Sequence, residues 1–312
     1  MISILIPVFN TNVVELIRSL QQQIALIKEK VEIVVMDDAS DDDLKKKQNR
    51  EGLLAFPGLH YLELPVNCGR NIIRHKLAAA ATFHIFIFID ADSSFPDASW
   101  LQNYIDARTG GEIIMGGRRY NKTQAGATGL HFHYGLNREQ LSAAQRNIHP
   151  YRSFMACNFL IRRQQLARLI IDNNLQGYCH EDTFMGLQFE KLGIPIRHID
   201  NPVFHDGIDE DAVFISKQEE ALENLRYLYN TYNKEFNFSG IKLVRVYKQI
   251  TASAVGGFLL NALADKRDDC KKRVLRSYRL VWLDLWKLLS WHQLNREQTG
   301  KPTDQILLPG HK

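Results

Sequence analysis

Over its first ninety positions the chain alternates short apolar runs with amphipathic stretches. Residues 2–8, 31–36, 60–64 and 83–89 are dominated by β-branched, leucine and aromatic side chains. Runs of this length and composition predict buried strands. Between the first two, Val13, Ile17, Leu20, Ile24 and Ile27 recur at three- and four-residue steps, which predicts a helix with one apolar face. Asp41, Asp42 and Asp43 stand where the next helix would begin, the end at which its dipole favours acids. Residues 67–82 read as a loop and an alanine-rich helix. Strands alternating with helices imply βαβ units, a parallel sheet and right-handed crossovers. Residues 1–95 therefore read as a nucleotide-binding half of doubly wound type.

Beyond residue 95 the pattern is mixed. Residues 112–117 and 154–161 suggest strands, 163–171 a helix, and 199–204 an extended stretch ending at His205. Residues 126–135, rich in glycine and histidine, read as a loop. From about 210 the texture turns helical, over 214–233 and 241–292, with Val274, Tyr278, Val281, Trp282, Leu285, Leu288 and Leu289 at helical spacing. The last dozen residues, with Gly300, Pro302 and Pro309, read as a loose tail. The organisation expected is 1–210 as an α/β domain, with halves 1–95 and 96–210, and 211–312 as a helical extension.

The 312 residues are 45% hydrophobic and 24% charged, as in ordinary globular proteins. The formal net charge of +4 is too small to argue for nucleic acid. Cys68, Cys157, Cys179 and Cys270 lie far apart without metal-ligand spacing, which fits a reduced compartment. Pro7 and Asn10 interrupt the first apolar run and no basic segment precedes it, so it reads as a strand and not a signal peptide. No uninterrupted apolar stretch reaches the roughly 18 residues of a membrane span. A cytoplasmic protein is expected. Trp282, Trp286 and Trp291, beside the basic run from Lys266 to Arg279, offer a face for anionic lipid at the inner side of a membrane. Ordinary packing of that face is the other reading.

The chemistry begins at Asp90-Ala91-Asp92, where the fourth apolar run ends. Two carboxylates two positions apart point to one side of an extended backbone. Acids are costly to bury unless paired or metal-bound, and ligands of open α/β sheets bind at the carboxyl ends of strands. An Asp-x-Asp there suits a hard divalent cation clamping a diphosphate, or else forms a solvated turn. Pro7-Val8-Phe9-Asn10 and Asp37-Asp38-Ala39-Ser40 close two other strands. Asn67-Cys68-Gly69 with Arg74, and His180-Glu181-Asp182 before Gly186-Leu187-Gln188-Phe189, complete the series.

In this order the segments resemble the inverting family 2 glycosyltransferases of bacterial polysaccharide and glycan synthesis, over roughly residues 1–206. The resemblance implies the glycosyltransferase-A fold: a doubly wound, Rossmann-like, mostly parallel sheet flanked by helices, here with a C-terminal helical extension. It implies that Pro7, Phe9 and Asn10 form the first loop around the nucleotide and that Asp38, with Asp37, takes the base, through the imide N–H if that base is uracil. Asn67, Gly69 and Arg74 match the family's Asn-x-Gly-x-x-x-x-Arg pattern, Gly69 for a tight turn and Arg74 for ribose or diphosphate. His75 replaces the usual asparagine, and Arg70 is a rival phosphate ligand. Asp92 would hold Mn2+ or Mg2+, Asp90 (across Ala91) the ribose or a metal-bound water, and His205 would be a further metal ligand or only a strand cap.

Asp182 would be the catalytic base, kept ionised by the start of its helix, with Glu181 orienting it or touching the acceptor. Asn158 would bind a sugar hydroxyl on the acceptor side, or end a strand. His131-Phe132-His133, read as extended, puts two imidazoles on one side for a second metal site or an acceptor loop. The implied activity is transfer of a hexosyl or N-acetylhexosaminyl group from a nucleotide-sugar, most simply a UDP-sugar, to a hydroxyl of a glycan or lipid-linked acceptor. The rivals are a sugar-nucleotide pyrophosphorylase, whose glycine-rich basic loop is missing from residues 7–10, and a non-catalytic relative, against which the intact Asp90, Asp92, Glu181 and Asp182 weigh.

Overall fold

A computed structural model describes residues 1–108, 110–123, 127–175, 177 and 180–299. The expected tail, with Gly300, Pro302 and Pro309, lies outside the described residues. The strands are β1 Ile2–Val8, β2 Val31–Asp37, β3 Leu59–Glu63, β4 Ile85–Ile89, β5 Ser93–Ser94, β6 Ile113–Met115, β7 Arg118–Arg119, β8 Asn158–Arg162, β9 Ile196–His198 and β10 Val203–His205. The helices are α1 Val14–Ile24, α2 Asp43–Leu53, α3 Gly69–Ala80, α4 Trp100–Ala107, α5 Leu130–Tyr134, α6 Ala143–Asn147, α7 Arg163–Leu166, α8 Glu181–Leu192, α9 Asp211–Tyr232, α10 Lys242–Thr251, α11 Ala254–Leu263, α12 Arg267–Ser277 and α13 Leu280–Thr299.

Seven strands form one sheet in the order β3-β2-β1-β4-β8-β6-β9. It is parallel except for β8, which runs antiparallel between β4 and β6. The alternation of strand side chains divides the core into two layers. Ile2, Ile4, Ile6 and Val8 pack with Leu16, Ile17 and Leu20 of α1 and Trp100 of α4. Leu5, Phe86 and Phe88 face the other way, onto Ile73 and Leu77 of α3 and Met185 and Phe189 of α8. Burial on both faces is why these strands read as continuous apolar runs. A three-stranded ribbon, β5-β10-β7, stands apart from the main sheet.

Several elements differ from the sequence pattern. β8 begins at Asn158, because Phe154, Ala156 and Cys157 are apolar through burial in a loop and not through strand pairing. The helix expected over 163–171 is the single turn α7. The stretch after residue 129 is the helix α5, continued by a wide turn over Gly135–Glu139. At about 100° per residue, His131 and His133 point to opposite sides. His131 is buried, its Nδ1 accepting the Asp209 N–H at 2.9 Å, so the two imidazoles form no shared site.

Residues 1–237 and 238–312 are two compact units. Helix α9, burying Phe214, Ile215, Leu222 and Leu225, belongs with the first, which sets the break one helix later than the change of texture near 210. The helical stretch expected over 241–292 is four helices. Ser253 caps α11 by accepting the Gly256 N–H at 3.1 Å, and Tyr278, with φ 52°, ends α12. Trp286 and Trp291 are buried, and Trp282 lies under the Arg273 guanidinium, so of the two readings of the tryptophans packing holds, and they form no lipid-facing surface. Among the described residues no helix is long and apolar enough to cross a membrane.

Candidate active site

The carboxyl ends of β1, β2 and β4 and the start of α3 open into a cleft of about 1050 Å³, the size of a small-molecule site. Pro7, Phe9, Asn10, Asp38, Asn67, Gly69, Arg74, Asp90, Ala91 and Asp92 all line it, joined by Lys45, Arg70 and Lys217. Segments separated by up to 85 residues in sequence thus share one wall because their strands are neighbours in the sheet.

Local hydrogen bonds fix that wall. Asn10, with φ 52°, accepts the N–H groups of Asp41 and Asp42 on Oδ1, both at 3.0 Å, and so ties the loop after β1 to the one after β2. Asp38 accepts the N–H of Cys68 at 2.8 Å and of Gly69 at 2.9 Å, one on each carboxylate oxygen. It thereby anchors the start of α3. Gly69 holds φ +82°, which a side chain would strain. Asp37 does not share this wall. Buried at the end of β2, it accepts the Ser40 N–H at 2.7 Å and braces the turn.

Arg74 is the centre of the charge network. Buried on α3, it approaches Asp90 Oδ1 at 3.4 Å and Glu181 Oε1 at 3.6 Å, and donates to the Ala156 carbonyl at 3.2 Å. The Asp-x-Asp segment and the head of α8 are joined through this one guanidinium. Arg118, on β7, takes the other oxygen of Asp90 at 3.4 Å and Glu139 at 3.2 Å, while the Tyr120 hydroxyl also donates to Glu139. Sequence reasoning missed Arg118. Its one signal is the Gly116-Gly117 pair before it, where φ is +91° at Gly117 and the strand turns out of the sheet.

Asp92 sits beside the ribbon. His205 pairs with Ser93 across β10 and β5, which brings its Nδ1 to 3.4 Å from Asp92 Oδ1. That oxygen is buried and makes no hydrogen bond among the described residues. Burial pushes the Asp92 carboxyl up, but His205, Arg118 and Arg70 outweigh it and hold it well below the usual carboxylate range. An ionised oxygen without a hydrogen bond, facing an imidazole, fits one edge of a divalent-cation site. Among the described residues no three such ligands gather closely enough to hold an ion alone. Each oxygen of Asp90 faces an arginine, Arg74 or Arg118.

Glu181 and Asp182 open α8. Among the described residues neither lines the cleft, and Glu181 meets it through Arg70, at 4.0 Å, and Arg74. Asp182 Oδ1 accepts the Thr183 N–H at 2.6 Å. Burial, followed by the Glu181 charge, pushes its carboxyl up to about 7. The helix start therefore does not by itself keep Asp182 ionised, because burial and a like charge win over the dipole. Such a group is suited to accept a proton near neutrality.

Asn158 takes no part in the cleft. Its Nδ2 donates to the carbonyls of Gly117 and Asn201, both at 2.9 Å, and its Oδ1 accepts from Tyr104 at 2.7 Å and Trp100 at 3.2 Å. All four of its hydrogen-bonding positions are used. It is a buried knot of the fold and leaves nothing for a sugar.

A family model described as glycosyl transferase family 2 matches residues 3–170. No curated protein matches the chain. Among solved structures, the mannosyltransferase PcManGT from Pyrobaculum calidifontis, in complex with GDP-Man and Mn2+, is 15% identical, covering 96% of this chain and 88% of its own with a TM-score of 0.61. A mycobacterial protein of unstated activity is 14% identical over 74% of each chain, with a TM-score of 0.51. At these identities the likeness is one of fold.

Proposed function

The chain belongs to glycosyl transferase family 2, and from that premise we propose that it is an inverting glycosyltransferase of glycan or polysaccharide synthesis. It moves a hexosyl or N-acetylhexosaminyl group from a nucleotide-sugar, most simply a UDP-sugar, to a hydroxyl of a glycan or lipid-linked acceptor in the cytoplasm. The glycosyltransferase-A fold supplies the cleft. In it, Asp38, with the loop of Pro7, Phe9 and Asn10, meets the nucleoside, and Asn67, Gly69, Arg70 and Arg74 meet the ribose and diphosphate. Asp92 and His205 would hold Mn2+ or Mg2+, which would supply positive charge against the departing diphosphate. Asp90, between Arg74 and Arg118, contacts ribose or a bound water. Asp182 takes the acceptor proton, and burial, with the Glu181 charge beside it, keeps its affinity for that proton high.

One observation carries the reading: Arg74 reaches Asp90 at 3.4 Å and Glu181 at 3.6 Å, so the diphosphate side and the residue next to the base share one cation. A thermal-shift panel of UDP-sugars with Mn2+, extended to the GDP-mannose held by the Pyrobaculum enzyme, selects the donor. Sugar release is then followed in wild type and Asp182→Asn, and the anomeric configuration of the product is read by NMR. Nucleotide binding without sugar release in wild type overturns the enzyme reading, a pyrophosphate requirement favours a pyrophosphorylase, and a retained configuration overturns inversion.

A further inference from the structure

Helix α11 is built unlike the rest of the chain. From Gln249 to Ala264 there is no charged residue, and within the helix only Leu260 is buried. Val255, Phe258, Leu259 and Leu263 are 69%, 71%, 52% and 43% exposed. At about 100° per residue they form, with the exposed Ala262, a continuous stripe roughly 140° wide, with Leu260 on the opposite side. Scattered exposed apolar residues are ordinary, but four large ones on one helical stripe mark an interaction surface.

The helix gains little from its own sequence. It has ten residues, fewer than the roughly 12–15 at which isolated helices become stable in water. Gly256 and Gly257 each disfavour the helix by about 1 kcal/mol relative to alanine. Gly256 has a packing reason, since a Cβ there would lie 2.0 Å from the Ile250 carbonyl oxygen, but Gly257 has open space around it.

Charge identifies what covers the stripe. Residues 238–312 carry 14 Lys and Arg against 6 Asp and Glu, a net +8, while residues 1–237 carry a net −4. Exposed Lys248 precedes the uncharged stretch, and exposed Lys266, with half-buried Arg267, follows it. Lys266 lies 3.9 Å from Asp269 and Arg267 3.1 Å from Asp268, so part of this charge is locally balanced, but the excess is not. Two copies meeting stripe to stripe would bring two +8 segments together. An anionic surface with an apolar interior complements both features.

We propose that α11 is a membrane-docking helix, seating Val255, Phe258, Leu259 and Leu263 among the acyl chains of an anionic lipid bilayer while the flanking basic residues meet its headgroups. This does not depend on the transferase reading. The test is co-sedimentation of the full chain with vesicles of phosphatidylcholine containing about a third phosphatidylglycerol, against pure phosphatidylcholine, at low and high salt. The chain binds the anionic vesicles, and binds them more weakly at high salt. Phe258→Glu with Leu259→Glu lowers the partition coefficient by about a hundredfold, and Lys248→Glu with Lys266→Glu by about tenfold or more. Thermal unfolding transitions and far-UV circular dichroism unchanged from wild type show that the variants remain folded, and the second pair tests the charge without touching the stripe. Failure to bind anionic vesicles, equal binding to neutral ones, unchanged binding by the first pair, or a wild-type dimer which that pair dissolves would each overturn the proposal.

Discussion

Asp182 gives the most direct test of the site. Its carboxyl is displaced from 3.8 to about 7, by burial first and then by the Glu181 charge. A general base acts unprotonated, so turnover rises with pH through that value and is lost below it. Glu181→Gln removes the like charge and leaves Arg74, now 3.6 Å from Glu181 Oε1, without that counter-charge. Both changes favour ionised Asp182. Burial comes before this charge among the causes, so its removal takes back only part of the displacement, and the acid limb of the rate profile moves down by about one pH unit, equivalent to about 1.4 kcal/mol.

The same displacement has a signature in stability. Because the folded-state value lies above the unfolded one, the folded chain holds more protons across the window from 3.8 to about 7, and stability falls as pH rises through it. At about 1.4 kcal/mol per pH unit the ceiling is about 4 kcal/mol, and a share on the order of 1–2 kcal/mol is expected of Asp182 beside Glu181. Asp182→Asn should therefore lose about 10²–10⁴ in turnover and yet melt above wild type near pH 8, with the gap narrowing as pH falls through the window and closing near pH 4. Initial rates against pH with nucleotide-sugar and Mn2+, and calorimetry of both chains, supply the two readouts. A wild-type acid limb at or below about pH 5, a limb that Glu181→Gln leaves in place, or an asparagine variant no more stable at high pH would refute the reasoning.

Three further outcomes follow from the geometry. His205→Ala leaves Asp92 without its imidazole neighbour and should weaken Mn2+ half-saturation by about tenfold or more while narrowing the preference over Mg2+, read from turnover against metal concentration. Asn158→Ala strands four buried partners and should cost about 2–4 kcal/mol in urea melts while leaving the donor KM unchanged, whereas a large rise in KM would return Asn158 to the ligand set. Gly69→Ala forces a side chain into φ +82° and should cost about 1 kcal/mol or more in a thermal melt, together with a smaller stabilisation by added nucleotide.

The sheet was legible wherever burial is symmetric. β1, β2 and β4 are covered on both faces, so their apolar runs could be read without knowing the partners. The loop before β8 misled for the same reason. Phe154 is buried against Phe159 and Phe189, and its apolar character records tertiary contact without strand pairing. Asn158 was misassigned because a polar residue at a strand end looks alike whether it faces a ligand or four internal partners. Arg118 escaped notice because its meaning is a contact with Asp90, 28 positions away, that no local periodicity announces. The breaks at Ser253 and Tyr278 carry neither proline nor glycine themselves, and only Gly256-Gly257, inside α11, interrupted the helical pattern over 241–292.

Two acids of the site show what spacing cannot convey. Asp92 and Asp182 are the same residue type, one just past β4 and the other in the first turn of α8, and in sequence their acidities are indistinguishable. Their surroundings separate them in opposite directions. Asp92 has His205, Arg118 and Arg70 as neighbours and is held ionised, as a cation ligand must be. Asp182 has Glu181 beside it and is poised to exchange a proton near neutrality. Arg74 lies between the two environments, bound to Asp90 and to Glu181, so it steadies the ionised pair on one side and tempers the like-charge repulsion on the other. Two carboxyl groups pushed apart by their environments is the pattern by which one fold separates a charge-bearing acid from a proton-transferring one. Here the separation depends on two arginines and a histidine contributed by α3, β7 and β10, so it arises only when the sheet and the ribbon have both formed.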